Sequence, residues 1–278
     1  MKKEEQDQNM KIESLSISTE ETTNISIIRK MLNKVPEVTI FFWIIKIMTT
    51  TVGETAADFL NFNLHWGLTR TTVVMIVLLL VTLLFQFRSR KYIPGIYWLV
   101  VTLVSVVGTL VSDNLVDHIG ISLQVTTTVF ALALLVTFTL WYGSEKTLSI
   151  HSIYTIKREI FYWATIFFTF ALGTAAGDLI SEGLDLGYWR SAFMFASLIG
   201  IVTIAYYGFK FNAVWSFWMA YIVTRPLGAS LGDYLSQSHA DGGLGLGTAG
   251  TSVIFLVTIL TLVIYLAKSG IDQTQPSS

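Results

Sequence analysis

A unit of tryptophan, nine residues, glycine, four residues and aspartate occurs four times in the chain, and most of the residues within each copy are apolar. Successive glycines are 55, 65 and 55 positions apart. Offsets that are kept in four copies indicate an internal repeat, so the chain is expected to fold as four similar units. The copies are Trp43, Gly53 and Asp58; Trp98, Gly108 and Asp113; Trp163, Gly173 and Asp178; and Trp218, Gly228 and Asp233.

The composition indicates that these repeats lie in a membrane. Of the 278 residues, 53% are hydrophobic and 13% are charged, whereas about a quarter of the residues of a soluble globular protein are charged. The 18 basic residues against 19 acidic ones give no positive excess for a phosphate backbone, so nucleic acid is not expected as a partner. The absence of cysteine excludes thiolate sites, so a metal would be bound by oxygen or imidazole.

Eight apolar segments are each near 20 residues long, the length at which a helix crosses about 30 Å of hydrocarbon. A segment that crosses lipid must satisfy its own backbone hydrogen bonds, so the segments are predicted to be helices. We therefore expect an all-α integral membrane protein with eight transmembrane helices, arranged as four parallel two-helix repeats around a pseudo-symmetry axis. The segments are 38–60, 71–87, 95–116, 122–142, 159–181, 190–209, 213–236 and 249–267.

Each repeat unit lies on an odd-numbered segment, and the segment after it carries no copy. The repeat is therefore predicted to be a two-helix hairpin that returns the chain to the same side, with a symmetry axis along the membrane normal. The longer middle interval favours two halves of four helices, and pseudo-fourfold and nested twofold arrangements both fit. The predicted units are a polar tail at 1–34, repeats at 35–93, 94–153, 154–212 and 213–270, and a tail at 271–278.

Lysine and arginine concentrate in the loops on one side of the predicted bundle, which places both termini in the cytoplasm. The last part of the N-terminal tail, residues 25–34, fits either a short amphipathic helix on the membrane surface or a disordered linker. Four tandem two-span repeats with a recurrent tryptophan resemble a bacterial family of membrane-anchored proteins built from a repeat of unknown function. The resemblance covers about residues 38–268. It implies a protein of the bacterial cytoplasmic (inner) membrane and carries no catalytic assignment.

The repeated Trp, Gly and Asp share one face of the helix at about 100° per residue. The glycines on this face are predicted to let helices approach closely. The tryptophans Trp43, Trp98, Trp163 and Trp218 lie at the cytoplasmic ends of their segments and are predicted to be interfacial anchors. Small and polar residues dominate between them: seven positions after each Trp come Thr50, Ser105, Phe170 and Arg225, and eleven after come Glu54, Thr109, Thr174 and Ala229.

The acids on this face predict a cation site. A carboxylate within a membrane is costly unless it is paired, hydrated or protonated. Four aspartates at one depth would converge on the shared axis, where they cannot all ionise without a cation, a proton or a basic partner. The alternative is that each aspartate is hydrated near its loop. The predicted metal ligands are Asp58, Asp113, Asp178 and Asp233, with Glu54 one turn inward and Asp117 and Glu182 one turn outward.

Two copies contain charged residues that break the symmetry. Lys46 occurs only in the first copy, and Arg225 and Pro226 only in the fourth. Pro226 is expected to kink or break its helix. Lys46 and Arg225 either neutralise the acids in a resting state and are displaced by substrate, or form static salt bridges.

These observations predict a transporter of cations rather than an enzyme. Oxygen ligands suit hard divalent ions, and a metal such as Mn²⁺ is the leading substrate, bound transiently with no resident cofactor and possible coupling to protons. A carrier of a small organic cation or other solute is the alternative. Two further alternatives are an accessory membrane scaffold and an intramembrane enzyme, since Gly232 and Asp233 resemble the Gly-Asp pair of intramembrane aspartyl proteases. The expected partners are the lipid bilayer and the transported solute.

Overall fold

Eight long α-helices form the protein in the computed structural model, which describes residues 32–63 and 66–273. Each predicted apolar segment corresponds to one helix, and the described residues contain no β-strand. The helices are α1 Ile40–Asp58, α2 Leu68–Arg88, α3 Pro94–Asp113, α4 Leu123–Glu145, α5 Ile156–Asp178, α6 Tyr188–Phe209, α7 Ala213–Ser236 and α8 Thr248–Ser269.

Residues that commonly cap helices fix several of the helix starts. Thr39 and Thr155 each accept a hydrogen bond from a backbone N–H in the first turn, of α1 and α5 respectively. Pro94 occupies the first turn of α3, where its missing N–H costs no hydrogen bond. The structure therefore begins these helices close to where the sequence predicts them.

Seven of the described helices are long and apolar enough to cross a membrane, so the chain is a multi-pass membrane protein by length and composition. The exception is α7, which has 24 residues but includes Arg225, Pro226 and Asp233. The arginine and the aspartate are 0% and 6% exposed, so the polar groups that lower the hydropathy of α7 lie inside the protein. Their burial explains how a helix of this composition fits among the seven others.

The odd-numbered helices form an inner ring, and the even-numbered helices surround it. Around the ring, α1 packs on α3, α3 on α5, α5 on α7, and α7 on α1. Buried residues make up 61–67% of the most apolar window of α1, α3 and α5, but only 11–28% of that window in the outer helices. The outer helices therefore present most of their apolar side chains outwards, as helices that face lipid do.

The two helices of one repeat do not pack as a hairpin, which corrects the sequence prediction. Instead, α2 packs on α3, α4 on α5 and α6 on α7, while α8 closes the circle on α1 more than on its own α7. Each repeat thus depends on its neighbour to cover its inner helix, so the repeats interlock.

The repeat glycines are the points of closest approach in the inner ring, as predicted. A Cβ atom at any of them would overlap a residue of the next inner helix, and that residue is always the one seven positions after the repeat tryptophan. Equivalent residues therefore meet at equivalent depth, and the inner helices run parallel. The contacts are Gly53 with Ser105, Gly108 with Phe170, Gly173 with Arg225 and Gly228 with Thr50.

The helix α7 runs through Pro226 without a break, so the predicted break does not occur. Proline removes one backbone donor, but a buried helix tolerates this when its neighbours support it. Here the proline ring lies against α5, where Cβ atoms at Gly173 and Gly177 would contact Pro226 at 3.0 and 3.6 Å. Two small residues on α5 therefore make room for the proline.

A segment before α1, residues 32–39, closes the tryptophan end of the bundle. The N–H of Lys34 donates to the carbonyl of Ile153 at 3.0 Å, and the N–H of Tyr92 donates to the carbonyl of Asn33 at 3.2 Å. Val35 is 4% exposed. Because these bonds join segments distant in sequence, residues 32–39 act as a strap across this end.

The ends of the predicted tails belong to the folded protein. Lys34, which was predicted to end the solvated tail, is buried and pairs with Glu159 at 2.6 Å. Asp272, predicted to lie in the C-terminal tail, is 2% exposed and accepts a hydrogen bond from Tyr92 at 2.5 Å. Residues 1–31 and 274–278 of the predicted tails, which include most of the predicted amphipathic segment at 25–34, lie outside the described residues.

Candidate functional site

A cavity of about 220 Å³ lies where the inner helices end, opposite the strap. All seven acids that the sequence predicts as metal ligands line it, so the predicted convergence of the four repeat aspartates is confirmed. The lining residues are Glu54, Asp58, Asn61, Leu68, Asp113, Val116, Asp117, Leu123, Asp178, Glu182, Asp233 and Gln237. We call this space the acidic cavity.

The acids become more buried with depth. Asp117 and Glu182 are exposed at the mouth, Asp58, Asp113 and Asp178 are half-buried, and Glu54 and Asp233 are each 6% exposed. The carboxylates at the mouth are therefore open to water, whereas the deepest ones lie within the protein.

Helix geometry adds to the negative potential of this end. Asp58, Asp113 and Asp178 are the last residues of α1, α3 and α5, and Asp233 lies in the last turn of α7. The carbonyl groups at a helix C-terminus carry partial negative charge and favour cations. Four such ends point the same way, so backbone and side chains both favour a cation here.

In the first three repeats, a π-helical turn follows the aspartate, at Phe59–Asn63, Asn114–His118 and Leu179–Gly183. Single π-helical turns in proteins occur often at functional sites. The fourth repeat lacks this turn, because α7 continues as an α-helix to Ser236. The turns at Asn114–His118 and Leu179–Gly183 include the two outermost acids, Asp117 and Glu182, so they help to shape the mouth.

The tightest group of carboxylates comes from three different repeats. Oxygen atoms of Glu54, Asp178 and Asp233 lie within 4.8 Å of one another. Two oxygen ligands of one hard cation, each at about 2.1–2.6 Å from the ion, lie at most about 5 Å apart. The spacing and chemistry of this group therefore fit Mg²⁺, Ca²⁺ or Mn²⁺.

Arg225 does not line the acidic cavity but binds Glu54, which does. It is 0% exposed, and its Nη2 donates to Glu54 Oε2 at 3.1 Å, to Thr174 Oγ1 at 2.6 Å and to Thr109 Oγ1. Its Nη1 donates to the carbonyl of Thr50 at 3.2 Å. One guanidinium from α7 thus joins α1, α3 and α5, and the predicted pairing of Arg225 with an acid is confirmed.

Lys46 does not pair with an acid. It is 0% exposed, and its Nζ lies 4.2 Å from the ring centroid of Phe170 and 4.3 Å from that of Tyr221. Within the described residues, Nζ has no hydrogen-bond partner. A static salt bridge is therefore wrong for Lys46, whose charge is met by two aromatic faces instead.

The repeat tryptophans belong to an aromatic layer inside the bundle. Trp98, Trp163 and Trp218 are at most 4% exposed, so the prediction of interfacial anchors is wrong for these three. Their rings pack edge-on or tilted against buried tyrosines and phenylalanines rather than lipid. Trp43 is partly buried. The neighbouring rings that complete the layer are Phe42, Tyr97, Tyr162, Phe217 and Tyr221.

Hydrogen bonds close the end of the bundle beyond this layer. The hydroxyls of Tyr97 and Tyr162 are 2.6 Å apart, and Trp218 Nε1 donates to the carbonyl of Leu148 at 2.9 Å. Burial raises the pKa of Asp272, while the hydrogen bond from Tyr92 acts in the opposite direction. We call the aromatic layer together with the strap the sealed end.

Three predicted polar residues lie around Arg225 rather than in the acidic cavity: Thr50, Thr109 and Thr174. Ser105 instead packs against Gly53. Asn61 and Tyr188 were not predicted from the sequence, and the Tyr188 hydroxyl donates to Glu182 at 3.1 Å. Asn61 follows Asp58 by three positions, so helical spacing gives a signal for it. Tyr188 begins α6 25 positions after Trp163, where the first two repeats have Leu68 and Leu123, so its position is repeated but its residue type is not.

A sequence model described as Repeat of Unknown Function (DUF347) matches the chain four times, at residues 41–92, 96–147, 161–211 and 216–272. Each match begins two residues before a repeat tryptophan and contains nearly all of one inner helix and the whole of one outer helix. The predicted resemblance and the four tandem repeats are thereby confirmed. No curated protein and no solved structure matches the chain.

Proposed function

The chain belongs to the family built from the DUF347 repeat, and with that premise we propose that it is a membrane transporter of cations. The observation that carries the proposal is the acidic cavity, in which seven carboxylates from the four repeats meet at one end of the bundle. Carboxylates collected in a membrane-spanning bundle are costly unless they are paired, hydrated, protonated or bound to a cation. The repeat supplies four of them at one position, which a packing role alone does not require.

A hard divalent cation such as Mn²⁺ is the proposed substrate. Ions of this class take carboxylate, amide and water oxygens, which are the ligands that the described lining offers. Among the described residues that line the cavity, only Leu68, Val116 and Leu123 are apolar. A small organic cation, the alternative substrate, would need more apolar contact than these residues supply.

We place the acidic cavity on the outer side of a bacterial inner membrane, with both termini in the cytoplasm. Basic residues support this orientation, because Arg88, Arg90 and Lys91 lie at the opposite end and positive loops stay in the cytoplasm. The inner ring then surrounds an axis along the membrane normal. In this arrangement α7 also spans the membrane, shielded by α1, α5 and α6.

Transport is proposed to be coupled to protons through the same carboxylates. Like charges this close to each other cannot all stay ionised when a cation leaves. Uptake of protons by the emptied cluster restores the balance of charge, and entry of the next cation releases them. Exchange of a cation for protons follows from the site itself and needs no second binding site.

Flux measurements with purified protein in liposomes test the proposal. Uptake of Mn²⁺, Mg²⁺, Ca²⁺, Na⁺ and K⁺ is measured separately, with a pH-sensitive dye in the lumen. We expect flux of a divalent ion with an opposing change of pH, and loss of both when the four repeat aspartates are replaced together by asparagine. Those substitutions are Asp58→Asn, Asp113→Asn, Asp178→Asn and Asp233→Asn.

The matched control is Asp185→Asn. Asp185 is an exposed acid that does not line the acidic cavity, and its φ of 56° is one that asparagine adopts readily. The control should transport like the wild type. Absence of cation flux in the wild type, or full flux in the folded fourfold variant, overturns the proposal, and the scaffold would then become the leading alternative.

A further inference from the structure

We propose that the positively charged side chain of Arg225 is a gate, and that the oxygen atoms that bind it form a second, inner cation site. In this structure Arg225 occupies the space between the inner helices next to the acidic cavity, and in the proposed cycle a divalent cation takes its place. This inference rests on the proposed function, since a gate has meaning only if a cation passes.

The first support is the chemistry of the groups around the guanidinium. Its Nη atoms are bound by a carboxylate oxygen of Glu54, hydroxyl oxygens of Thr109 and Thr174, and the carbonyl oxygen of Thr50. We call these four oxygens the oxygen cage. Carboxylate, carbonyl and hydroxyl oxygens are also ligands of hard divalent cations. The guanidinium and such a cation would therefore compete for the same atoms.

The second support is the way in which the four repeats divide these roles. Eleven positions after the repeat tryptophan, the first three repeats place an oxygen in the cage, from Glu54, Thr109 and Thr174. The fourth repeat has Ala229 at that position and supplies Arg225 from one turn earlier. The first three repeats thus supply oxygen atoms around one position, and the fourth repeat places the Arg225 guanidinium there.

The third support is that the arginine is not fully satisfied. Its Nε is buried and has no acceptor within the described residues, although an arginine has five N–H donors to place. A buried ion pair is in general no more stabilising than apolar packing. Phe170 occupies the same repeat position on α5 and is 0% exposed, so the ring accepts an apolar side chain there. Stability alone does not account for Arg225.

Glu54 connects the gate to the acidic cavity. It pairs with Arg225 at 3.1 Å and also belongs to the group with Asp178 and Asp233. A divalent cation that binds this group competes for Glu54 and repels the guanidinium. Binding in the acidic cavity therefore weakens the bonds of Arg225, which ties opening of the gate to the arrival of substrate.

Accessibility of a single thiol tests the gate, because the natural chain contains no cysteine. Val101→Cys places the thiol one helical turn beneath the Arg225 layer, at a position that is 0% exposed. Asn61→Cys places it in the acidic cavity as the control. A cationic, membrane-impermeant methanethiosulfonate is added to the cavity side of protein in liposomes, and the rate of modification is measured.

We expect rapid modification at position 61 with or without Arg225. At position 101, we expect slow modification in the presence of Arg225. With Arg225→Gln, we expect the rate of modification to increase about tenfold or more, because the closed state is then less populated. Mn²⁺ should protect the thiol in the Arg225→Gln variant. Adding Thr109→Val and Thr174→Val should weaken this protection, because two ligands of the oxygen cage are gone.

If Arg225→Gln does not fold, Glu54→Gln combined with Arg225→Gln removes both partners of the buried pair and serves in its place. An unchanged rate at position 101, with normal modification at position 61, overturns the gate. Protection by Mn²⁺ that is insensitive to the threonine substitutions overturns the inner site. The flux measurement tests the transport proposal independently of the gate. Absence of cation flux in the wild type overturns transport, whereas normal flux with an unchanged rate of modification at position 101 overturns only the gate.

Discussion

The two ends of the bundle are made from the same four repeats but do opposite things. At one end, the repeat aspartates meet in an open cavity that contains seven acids. At the other end, the repeat tryptophans and their neighbours pack into a closed aromatic layer, with Trp98 and Trp218 each 2% exposed. The aspartates at one end therefore define a site, whereas the tryptophans at the other end close the bundle.

The sealed end is completed by segments that do not belong to the repeated pattern. The strap at 32–39 binds the connection near Ile153, and Asp272 after the last helix binds Tyr92. The open end uses residues at repeated positions. Parallel repeats give the bundle two unlike ends, with aspartates at one and tryptophans at the other, and the non-repeated segments complete only the sealed end.

The largest expected effect concerns the ring that both ends share. Gly228→Leu would place a side chain where the Oγ1 and Cβ atoms of Thr50 lie. Overpacking of this kind costs about 1–3 kcal/mol or more, and the backbone of Thr51 at 3.0 Å leaves no room for relaxation. We expect loss of the folded protein, measured as aggregation in size-exclusion chromatography.

Gly250→Leu is the control for this prediction. Gly250 lies on the outer helix α8, and a Cβ there meets no atom within 4 Å. The same change of size and propensity should leave the protein folded. A well-folded Gly228→Leu variant would show that the inner helices can separate, and it would remove close packing as the reason for the repeat glycine.

Much of this ring could be predicted from the sequence, because helical geometry alone places Trp, Gly and Asp on one face. The convergence of Asp58, Asp113, Asp178 and Asp233 followed from that face and from the number of repeats. The packing of each outer helix on the next repeat could not be predicted. Spacing along the chain fixes the length of a helix but does not select its neighbour.

The roles of the tryptophans and of the strap were harder to predict for a different reason. An indole suits a membrane interface and a protein core equally well, and only the surrounding rings show that Trp163 lies in the core. The strap is short and polar and has no apolar periodicity. It is held by backbone hydrogen bonds of Asn33, Lys34 and Glu37, which depend on the folded partners and not on side-chain pattern.

The second prediction concerns the sealed end. Tyr92→Phe removes the hydroxyl that donates to Asp272 and leaves a buried carboxylate without that donor. Loss of such a partner costs about 1–3 kcal/mol, so the thermal midpoint should fall. Tyr207→Phe is the control, because Tyr207 is 78% exposed, and it should not change the midpoint.

The pH dependence of this effect has a definite sign. Burial already raises the pKa of Asp272, and the bond from Tyr92 lowers it. Without that bond the pKa of Asp272 in the folded protein rises further above its value in the unfolded chain. The free energy of unfolding then falls as pH rises through the interval between these two pKa values, and this interval extends to higher pH. The cost of Tyr92→Phe should therefore be greater at neutral pH than at acid pH. An equal loss of stability at neutral and acid pH would show that Asp272 is not the group affected.

The smallest expected effect is at the open end and has the opposite sign. Asp113 lies among six other acids in the acidic cavity, so Asp113→Asn removes a like charge from the cluster. In metal-free buffer we expect a gain of about 0.5–2 kcal/mol, the usual range for relief of unfavourable charge. Mn²⁺ should stabilise the wild type more than the variant, since a ligand stabilises the state that binds it by an amount that increases with its affinity. The difference between the two thermal midpoints should then become smaller or change sign. If Asp113→Asn destabilises the protein without metal, the acids of the open end serve the fold in the way that Asp272 does at the sealed end, and the functional difference between the two ends disappears.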